Sequence, residues 1–409
     1  MMRSSALISA AVTVLVGCGL SAAEAADNSP LKVGFMTVRS GALAAGGRQM
    51  EEGLQLCIDE HHGQMAGRKI QVITADTAGQ PAVTKTKAQE LVERDGAQVL
   101  IGPLAAFEAL AIDDYIRQTK TPIISPSAAA EDLTQRKPNP WFVRAVGTSA
   151  QAHHPLGEYA AKELKYKKIA IIADDFAFGH EIAAGFQRAF EQNGGKVVQK
   201  LWSPLNTAEY GTYITQIDPS VDAVFAAFAG GNGIKFLGEY KNYGMQKPVL
   251  GAMTTVDEGI LKRMGDEAVG VISSGWYSAA TDTPTNKKFV EAVRKAYGAD
   301  PGYYTVGAYM ACQFLNNALE QVKGDTSNKD AFIKALRNVN IPDSPYGPVK
   351  IDQYGQPILD ITIRKVEKKD GRLQNVVIKT YPAVSQFWTY GAEEFLKSPV
   401  YSRDWTPTK

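Results

Sequence analysis

Short apolar runs alternate with amphipathic stretches of helical periodicity along most of this chain, and this alternation limits its possible folds most strongly. In the first half the strand-like runs are 31–38, 69–75, 99–101 and 122–125. In the second half they are 168–173, 196–201, 223–228, 249–252 and 269–273. Strands that alternate with helices form a parallel sheet covered by helices. The chain is therefore predicted to be an α/β protein.

The two series of strands predict two lobes. The chain has 409 residues, which is enough to bury two hydrophobic cores. Between the series, residues 141–146 (WFVRAV) follow Pro138 and Pro140 and are expected to form a crossover strand. The predicted fold is two doubly wound parallel-sheet lobes with a ligand cleft between them, at the carboxyl ends of the strands.

The pattern changes after Pro284. Helices are expected at about 286–297, 303–322 and 329–336, and strands with a period of two at 359–366 and 373–380. This ending predicts that the chain returns to both earlier sheets. The tail, residues 382–409, is rich in aromatic residues and is expected to pack on a surface of the protein.

The first 26 residues have the features of an export signal, with a small apolar run over 6–20 and the small-x-small site AEA at 23–25. The run is shorter than the roughly 20 apolar residues that span a membrane. The alternative is the lipobox-like run LVGC at 15–18, in which Cys18 would be acylated. Cleavage after the AEA site is favoured because it lies at the usual distance past the apolar run. We therefore expect an exported, periplasmic protein.

The charge balance argues against two classes of partner. The chain has 44 Lys and Arg against 43 Asp and Glu, a formal net charge of +1, and no basic tract. Proteins that bind nucleic acid or an acidic membrane surface concentrate basic residues. Neither partner is expected.

Cys57 and Cys312 remain once the predicted signal is removed. Both lie in helical stretches with apolar periodicity, so two buried thiols are the expected arrangement. An exported protein also permits a disulfide between them, although their separation in sequence does not establish proximity.

Patterns typical of catalysis or metal binding are lacking in the sequence. The histidine pairs at 61–62 and 153–154 are adjacent, without the spacing that places two ligands on one helix face, and are expected at the surface. Asp174 and Asp175 are neighbours whose side chains project differently from a strand end. We expect no enzyme activity, no metal and no cofactor.

The loops expected at the strand ends combine small residues with apolar side chains. They are 39–41, 76–77, 102–107 and 125–129 in the first half, and 174–179, 227–231 and 252–255 in the second. Small residues let N–H groups at helix starts approach an anion. Phe107, Phe178, Phe228 and Met253 add apolar walls. The combination suits a small carboxylate with an apolar body.

Several short blocks, in their order and spacing, resemble the branched-chain amino-acid type of periplasmic binding protein, the type I fold of transporter substrate-binding proteins. The blocks are VGFMT at 33–37, SG at 40–41, Gly53, GP at 102–103, ISPSAAA at 124–130, DD at 174–175, FG at 178–179 and YGPV at 346–349. The resemblance covers residues 31 to about 380.

The resemblance implies how the lobes are connected and what they do. Three crossovers would fall near 145–148, 276–280 and 349–353. Lobe 1 would comprise 27–146 and 278–349, and lobe 2 would comprise 147–277 and 350–381. The resemblance further implies a monomeric solute-binding protein that closes on a small-molecule ligand and docks on the membrane permease of an ABC transporter.

Departures from the family pattern bear on the ligand. Members that bind amino acids hold the α-carboxylate and α-ammonium with Ser, Thr and Glu side chains where this sequence has Ala106, Ala129 and Met253. An ammonium group buried without its acidic partner would be costly, so a carboxylate on an apolar or aromatic body is favoured. Gly46 replaces a usual aromatic residue and is expected to enlarge the pocket, and Tyr304 matches a pocket-lining position.

The expected ligand-binding residues are Arg39, Leu104, Ala105, Ala106, Phe107, Ser127, Ala128, Ala129, Phe178, Phe228, Met253, Thr254 and Tyr304. Arg39 would anchor the carboxylate or remain a solvated loop residue, and Ser127 would contact the ligand or cap a helix. Arg144, in the crossover strand, is expected to make structural hydrogen bonds. Two other functions stay open: a binding protein for branched-chain or other hydrophobic amino acids, and a periplasmic sensor subunit.

Overall fold

The structure is a computed structural model that describes residues 29–369 and 371–407. The predicted signal peptide and the alternative acylation site at Cys18 lie outside the described residues. The strands are β1 (Leu31–Thr37), β2 (Gln64–Met65), β3 (Arg68–Asp76), β4 (Val99–Ile101), β5 (Ile123–Ser125), β6 (Phe142–Arg144), β7 (Lys168–Asp174), β8 (Lys196–Ser203), β9 (Ala223–Ala227), β10 (Val249–Gly251), β11 (Ile272–Gly275), β12 (Asn340–Ile341), β13 (Val349–Ile351), β14 (Pro357–Lys369) and β15 (Arg372–Val384). The helices are α1 (Ala44–Glu60), α2 (Pro81–Gln89), α3 (Ala106–Thr119), α4 (His153–Lys162), α5 (Ala177–Gln192), α6 (Gly211–Ile214), α7 (Asn232–Asn242), α8 (Glu258–Leu261), α9 (Pro284–Tyr297), α10 (Tyr303–Gln321), α11 (Lys329–Arg337) and α12 (Ala392–Lys397).

The first sheet has six strands in the order β2-β3-β1-β4-β5-β6. Every pair except β2–β3 is parallel. All three residues of β4 are fully buried, because helices cover both faces of the sheet. This burial explains why the strand is a continuous apolar run and does not alternate.

The second sheet has nine strands in the order β12-β13-β14-β11-β10-β9-β7-β8, with β15 paired to β14. The pairs among β7, β8, β9, β10 and β11 are parallel, and β14 runs antiparallel to β11, β13 and β15. The predicted α/β fold with two parallel-sheet lobes is therefore confirmed. Here lobe 1 and lobe 2 denote the first and second sheets with the helices packed on each.

The end of the chain differs from the expectation that it rejoins both sheets. After β11, helices α9, α10 and α11 return to lobe 1, where α1 packs on α9 and α10. The strands β12 to β15 all belong to the second sheet, and within the described residues no strand after β6 joins the first. The period-two pattern of β14 and β15 reflects their pairing with each other at one side of lobe 2.

Cys57 and Cys312 form a disulfide, so the expectation of two buried thiols was wrong. Helices α1 and α10 pack against each other and bring together cysteines that are 255 residues apart, with their Cα atoms 6.2 Å from one another. A disulfide persists in oxidising compartments, as expected for an exported protein. Among the described residues, no helix combines the length and apolar character needed to cross a bilayer.

The histidine pair at 153–154 is buried, which corrects the expectation of surface imidazoles. His154 lies against the aromatic tail, where its Nε2 is 2.9 Å from the hydroxyl of Tyr401. Phe387, Phe395, Tyr401 and Trp405 of the tail pack in one cluster beside α4 and α5. The tail therefore packs on lobe 2 and covers His154, a long-range contact that local sequence does not reveal.

Replacing both disulfide cysteines, Cys57→Ala with Cys312→Ala, should lower the free energy of unfolding by about 2–5 kcal/mol, because the bond restricts the unfolded chain over a long loop. Guanidinium denaturation of the protein without residues 1–26 measures this loss. Reduction of the wild type should reproduce it. Free thiols at both positions in unreduced, exported protein would contradict the bond.

Candidate ligand-binding site

A narrow cavity with about 20 Å³ of free volume lies between the lobes, at the carboxyl ends of parallel strands from both sheets. Its lining residues are Leu43, Leu104, Ala105, Ala106, Ser127 and Ala129 from lobe 1, Phe176, Phe178 and Ala229 from lobe 2, and Tyr303 and Tyr304 from the first turn of α10. None of these side chains is charged at neutral pH. This free volume is far below that of a small-molecule pocket, so a ligand can enter only when the lobes move apart.

The lobes touch each other at the edge of this cavity. The ring of Phe107, on α3 of lobe 1, meets the ring of Phe176 of lobe 2 edge-on, with their centroids 5.6 Å apart. A Cβ atom on Gly230 of lobe 2 would lie 2.3 Å from the carbonyl oxygen of Ala42 of lobe 1, so only glycine permits this approach. The structure thus has the lobes closed around the cavity.

The 127–130 loop, which follows β5, contributes Ser127 and Ala129 to the cavity wall and has hydrogen-bond donors that are unpaired among the described residues. All four of its carbonyl oxygens accept hydrogen bonds. The Ser127 carbonyl accepts from the hydroxyl of Tyr303 at 2.5 Å, and the Ala129 carbonyl accepts from both the N–H and the hydroxyl of Ser149 at 3.0 Å. Its four N–H groups donate to no described residue, and neither does the Ser127 hydroxyl. Buried donors need acceptors, so the loop is complementary to an acceptor group. The turn that follows is capped by Ala130, so Ser127 is not a helix cap.

Arg144 holds the other two carbonyl groups of this loop. Its guanidinium is fully buried and donates to the carbonyl oxygens of Ala128, at 2.9 Å, and Ala130, and to the side-chain oxygens of Thr134 and Gln356. The predicted structural role of Arg144 is confirmed. Burial lowers its pKa to about 10, so it remains a cation at neutral pH beside a site that offers donors.

The N-terminus of α3 provides further donors next to Ala105. The Ala105 N–H donates to the carboxylate of Glu108 at 2.9 Å, and the N–H groups of Ala106 and Phe107 donate to no described residue. The first N–H groups of a helix have no partner within it and attract anions. Burial raises the pKa of Glu108, while hydrogen bonds from Thr77, Ala105 and Thr84 lower it.

Aromatic side chains form the opposite walls. Phe178 lies in the first turn of α5 and stacks on Phe176, with ring centroids 5.8 Å apart. Tyr303 and Tyr304, neighbours at the start of α10, both line the cavity. A Cβ on Gly46 would lie 2.9 Å from the Tyr304 ring. The space left by Gly46 is therefore filled by Tyr304, and Gly46 does not enlarge the pocket as expected.

Seven of the thirteen residues expected at the ligand line this cavity: Leu104, Ala105, Ala106, Ser127, Ala129, Phe178 and Tyr304. Ala128 belongs to the same loop, and Phe107 packs at the rim against Phe176. The structure does not bring the other four to the cavity.

Phe228, Met253 and Thr254 lie behind the cavity in lobe 2. The Phe228 ring packs in the core against Tyr210 and Phe236. Thr254 donates its hydroxyl hydrogen to the Phe228 carbonyl at 2.7 Å, and Met253 is buried beside Gly275. Phe228 follows directly after β9, and its side chain points into the core on the side away from the cleft.

Arg39 lies outside the cavity, on the surface of lobe 1. Its side chain is 53% exposed, and its Nε is 2.6 Å from the carboxylate of Glu51. Of the two roles open from sequence, this position fits the solvated loop residue.

Four residues that line the cavity were not predicted from the sequence: Leu43, Phe176, Ala229 and Tyr303. Phe176 and Ala229 belong to strand-end loops, so their location was a usable signal. Asp174, at the end of β7, fixes Ala229 by accepting its N–H at 2.8 Å. Burial raises the pKa of Asp174 to about 7.

Known proteins resemble this chain over most of its length. Leu/Ile/Val-binding protein homolog 6 of Brucella melitensis is 30% identical over 372 residues, which are 88% of this chain and 94% of that protein. A solute-binding protein of an ABC transporter from Rhodopseudomonas palustris, solved with 3,4-dihydroxybenzoic acid, is 33% identical with a TM-score of 0.84, covering 88% of this chain and 99% of that one. Another from R. palustris, solved with benzoate, is 26% identical with a TM-score of 0.83, covering 87% and 98%.

The sequence pattern of a whole family also matches. The family described as periplasmic binding protein matches residues 30–372. This range includes every strand of both sheets except β15 and every residue that lines the cavity. The chain therefore belongs to the periplasmic binding protein family.

Proposed function

We propose that this protein is the extracytoplasmic solute-binding component of an ABC uptake transporter and that its ligand is a small aromatic carboxylate, such as benzoate or a hydroxybenzoate. The observation that supports this proposal is an excess of hydrogen-bond donors in the 127–130 loop. All of its carbonyl oxygens accept hydrogen bonds within the protein, whereas its N–H groups donate to no described residue. A carboxylate supplies the acceptors that these groups need.

The cavity suits an acid better than an amino acid. No lining side chain is acidic, so an α-ammonium group enclosed there would lack a counter-charge. The carboxylate of Asp174, behind Ala229, already accepts from that residue and from Asn232. Burying an ammonium without a partner costs several kcal/mol, whereas a benzoate places only a carboxylate and a ring in the cavity.

Aromatic walls favour a flat ring. Phe176, Phe178 and Tyr304 surround the cavity, and aromatic pairs gain about 0.5–1.5 kcal/mol beyond the area they bury. The R. palustris relatives solved with aromatic acids support the same ligand class.

Lobe closure is the proposed means of capture. The ligand enters when the lobes separate about the three connections between them, and closure brings Phe176 and Phe178 over it. The closed protein, acting as a single chain outside the cytoplasm, presents the ligand to a membrane permease. The Leu/Ile/Val-binding names among the relatives keep a branched-chain amino acid as the second candidate ligand.

Titration calorimetry should detect saturable binding of benzoate and 3,4-dihydroxybenzoate, and none of leucine. Benzamide, which has the shape of benzoate without its charge, should bind about tenfold or more weakly, because hydrogen bonds to charged acceptors are the stronger ones. Tight leucine binding without binding of either aromatic acid would overturn the proposed ligand class.

Ser127→Ala should weaken benzoate binding by about tenfold or more, since it removes one donor to the carboxylate. Arg39→Ala is the matched control: it removes an exposed cation outside the cavity and should leave affinity unchanged. Competition against a fluorescent aromatic acid measures both. A large loss in Arg39→Ala with none in Ser127→Ala would place the carboxylate elsewhere.

A further inference from the structure

Two buried carboxyl groups, Glu131 and Glu181, join the lobes immediately behind the 127–130 loop. We propose that this pair shares one proton when the lobes are closed, positions the loop, and makes ligand binding take up a proton. The inference rests on the proposed closure about a carboxylate and adds its regulation by pH.

The contact between the two residues crosses from one lobe to the other. Glu131 follows the loop directly, and its N–H donates to a carboxylate oxygen of Glu181 at 3.1 Å. Glu181 lies on α5 of lobe 2, one turn after the cavity residue Phe178. The Glu131 carboxylate accepts from the Thr148 hydroxyl and the Ala150 N–H, both at 3.1 Å, in the segment that leads into lobe 2.

One oxygen of each carboxyl group lacks a hydrogen-bond partner among the described residues. The Oε2 atoms of Glu131 and Glu181 are both buried and have no hydrogen-bond partner among the described residues. Two ionised carboxylates in such a place repel each other and lose their hydration. One proton on the pair removes a negative charge and provides a donor, as in other buried carboxyl pairs.

The nearby arginines do not keep both carboxyl groups ionised. Burial raises the pKa of both carboxyls, and the charge of Glu131 further raises that of Glu181. Arg136 and Arg144 attract the carboxylates, but this effect is smaller than that of burial.

Two further titratable groups lie near the pair. His153 contacts the carbonyl oxygen of Ser149 through Nδ1 at 2.6 Å, and burial lowers its pKa to about 4, so it is neutral near pH 7. Tyr401, from the tail, also faces Glu131, and burial raises the pKa of its phenol. Near pH 7 both are therefore uncharged, and the carboxyl pair is the group that titrates.

The sign of the pH effect follows from closure. Opening moves α5, with Glu181, away from the loop of lobe 1 and lets water reach both carboxyls, whose pKa then returns towards the ordinary 4.5. The closed form binds more protons, so its advantage is complete below that value and is lost as pH rises through the raised pKa of the pair. A benzoate ligand is ionised throughout this range and does not contribute.

Calorimetry of benzoate binding in two buffers of different ionisation enthalpy tests the proposal. Near pH 7 the wild type should take up a substantial fraction of one proton, and its affinity should fall by up to about tenfold per pH unit between about pH 5 and pH 7. Glu181→Gln keeps the acceptor oxygen and removes one of the two titrating carboxyl groups, so proton uptake and the pH dependence of affinity should both decrease clearly. With Glu131→Gln added, both should disappear. Binding without proton uptake in the wild type, or full pH dependence in Glu181→Gln, would overturn it.

A second measurement needs no ligand and separates this proposal from the proposed function. Thermal unfolding should show that the stability of the wild type relative to Glu181→Gln falls as pH rises from about 5 to about 8. Glu320→Gln, an exposed position on α10, should follow the wild type. Failure of every carboxylate to bind would refute the ligand class alone, whereas parallel stability curves for the wild type and Glu181→Gln would refute the shared proton.

Discussion

Arg144 donates hydrogen bonds from its buried guanidinium to two carbonyl groups of the 127–130 loop, and the geometry of the site depends on these bonds. Because the carbonyl oxygens face the guanidinium or other donors, the N–H groups are left for the ligand. Arg144 also bonds Gln356, which reaches Gln151 and the Val146 carbonyl in the first connection between lobes. Breaking a buried charge network of this kind typically costs 3–5 kcal/mol. One cation therefore links the 127–130 loop to the first connection between the lobes.

Local pattern predicts most of the architecture. Each of the nine apolar runs identified in the two halves overlaps a strand. The signal is clearest for strands such as β4 and β9, which are buried on both faces and therefore apolar along their length. Boundaries are less well defined: β11 begins at Ile272, three residues after the predicted start, and Val269 is exposed. The disulfide and the buried His154 were not predicted, since both depend on contacts between residues far apart in sequence.

The candidate site, too, could be predicted from the sequence only in part. Strand-end loops identify the right regions, so Ser127, Ala129 and Phe178 were found. Which side chain of a loop points into the cleft depends on how the chain turns after the strand, so Phe228 was selected where Ala229 lines the cavity. The donor excess of the 127–130 loop could not be read from sequence either, because it depends on where Arg144 places its hydrogen bonds.

The central claim is that main-chain N–H groups, held by a buried cation, bind the carboxylate of an aromatic acid. A crystal structure with 3,4-dihydroxybenzoate tests it most directly. The account predicts carboxylate oxygens within hydrogen-bond distance, about 2.7–3.2 Å, of N–H groups of the 127–130 loop and of the Ser127 hydroxyl, with the ring between Phe178 and Tyr304. A carboxylate bound at Arg39, or a ligand whose polar group donates to the loop carbonyl oxygens, would contradict it.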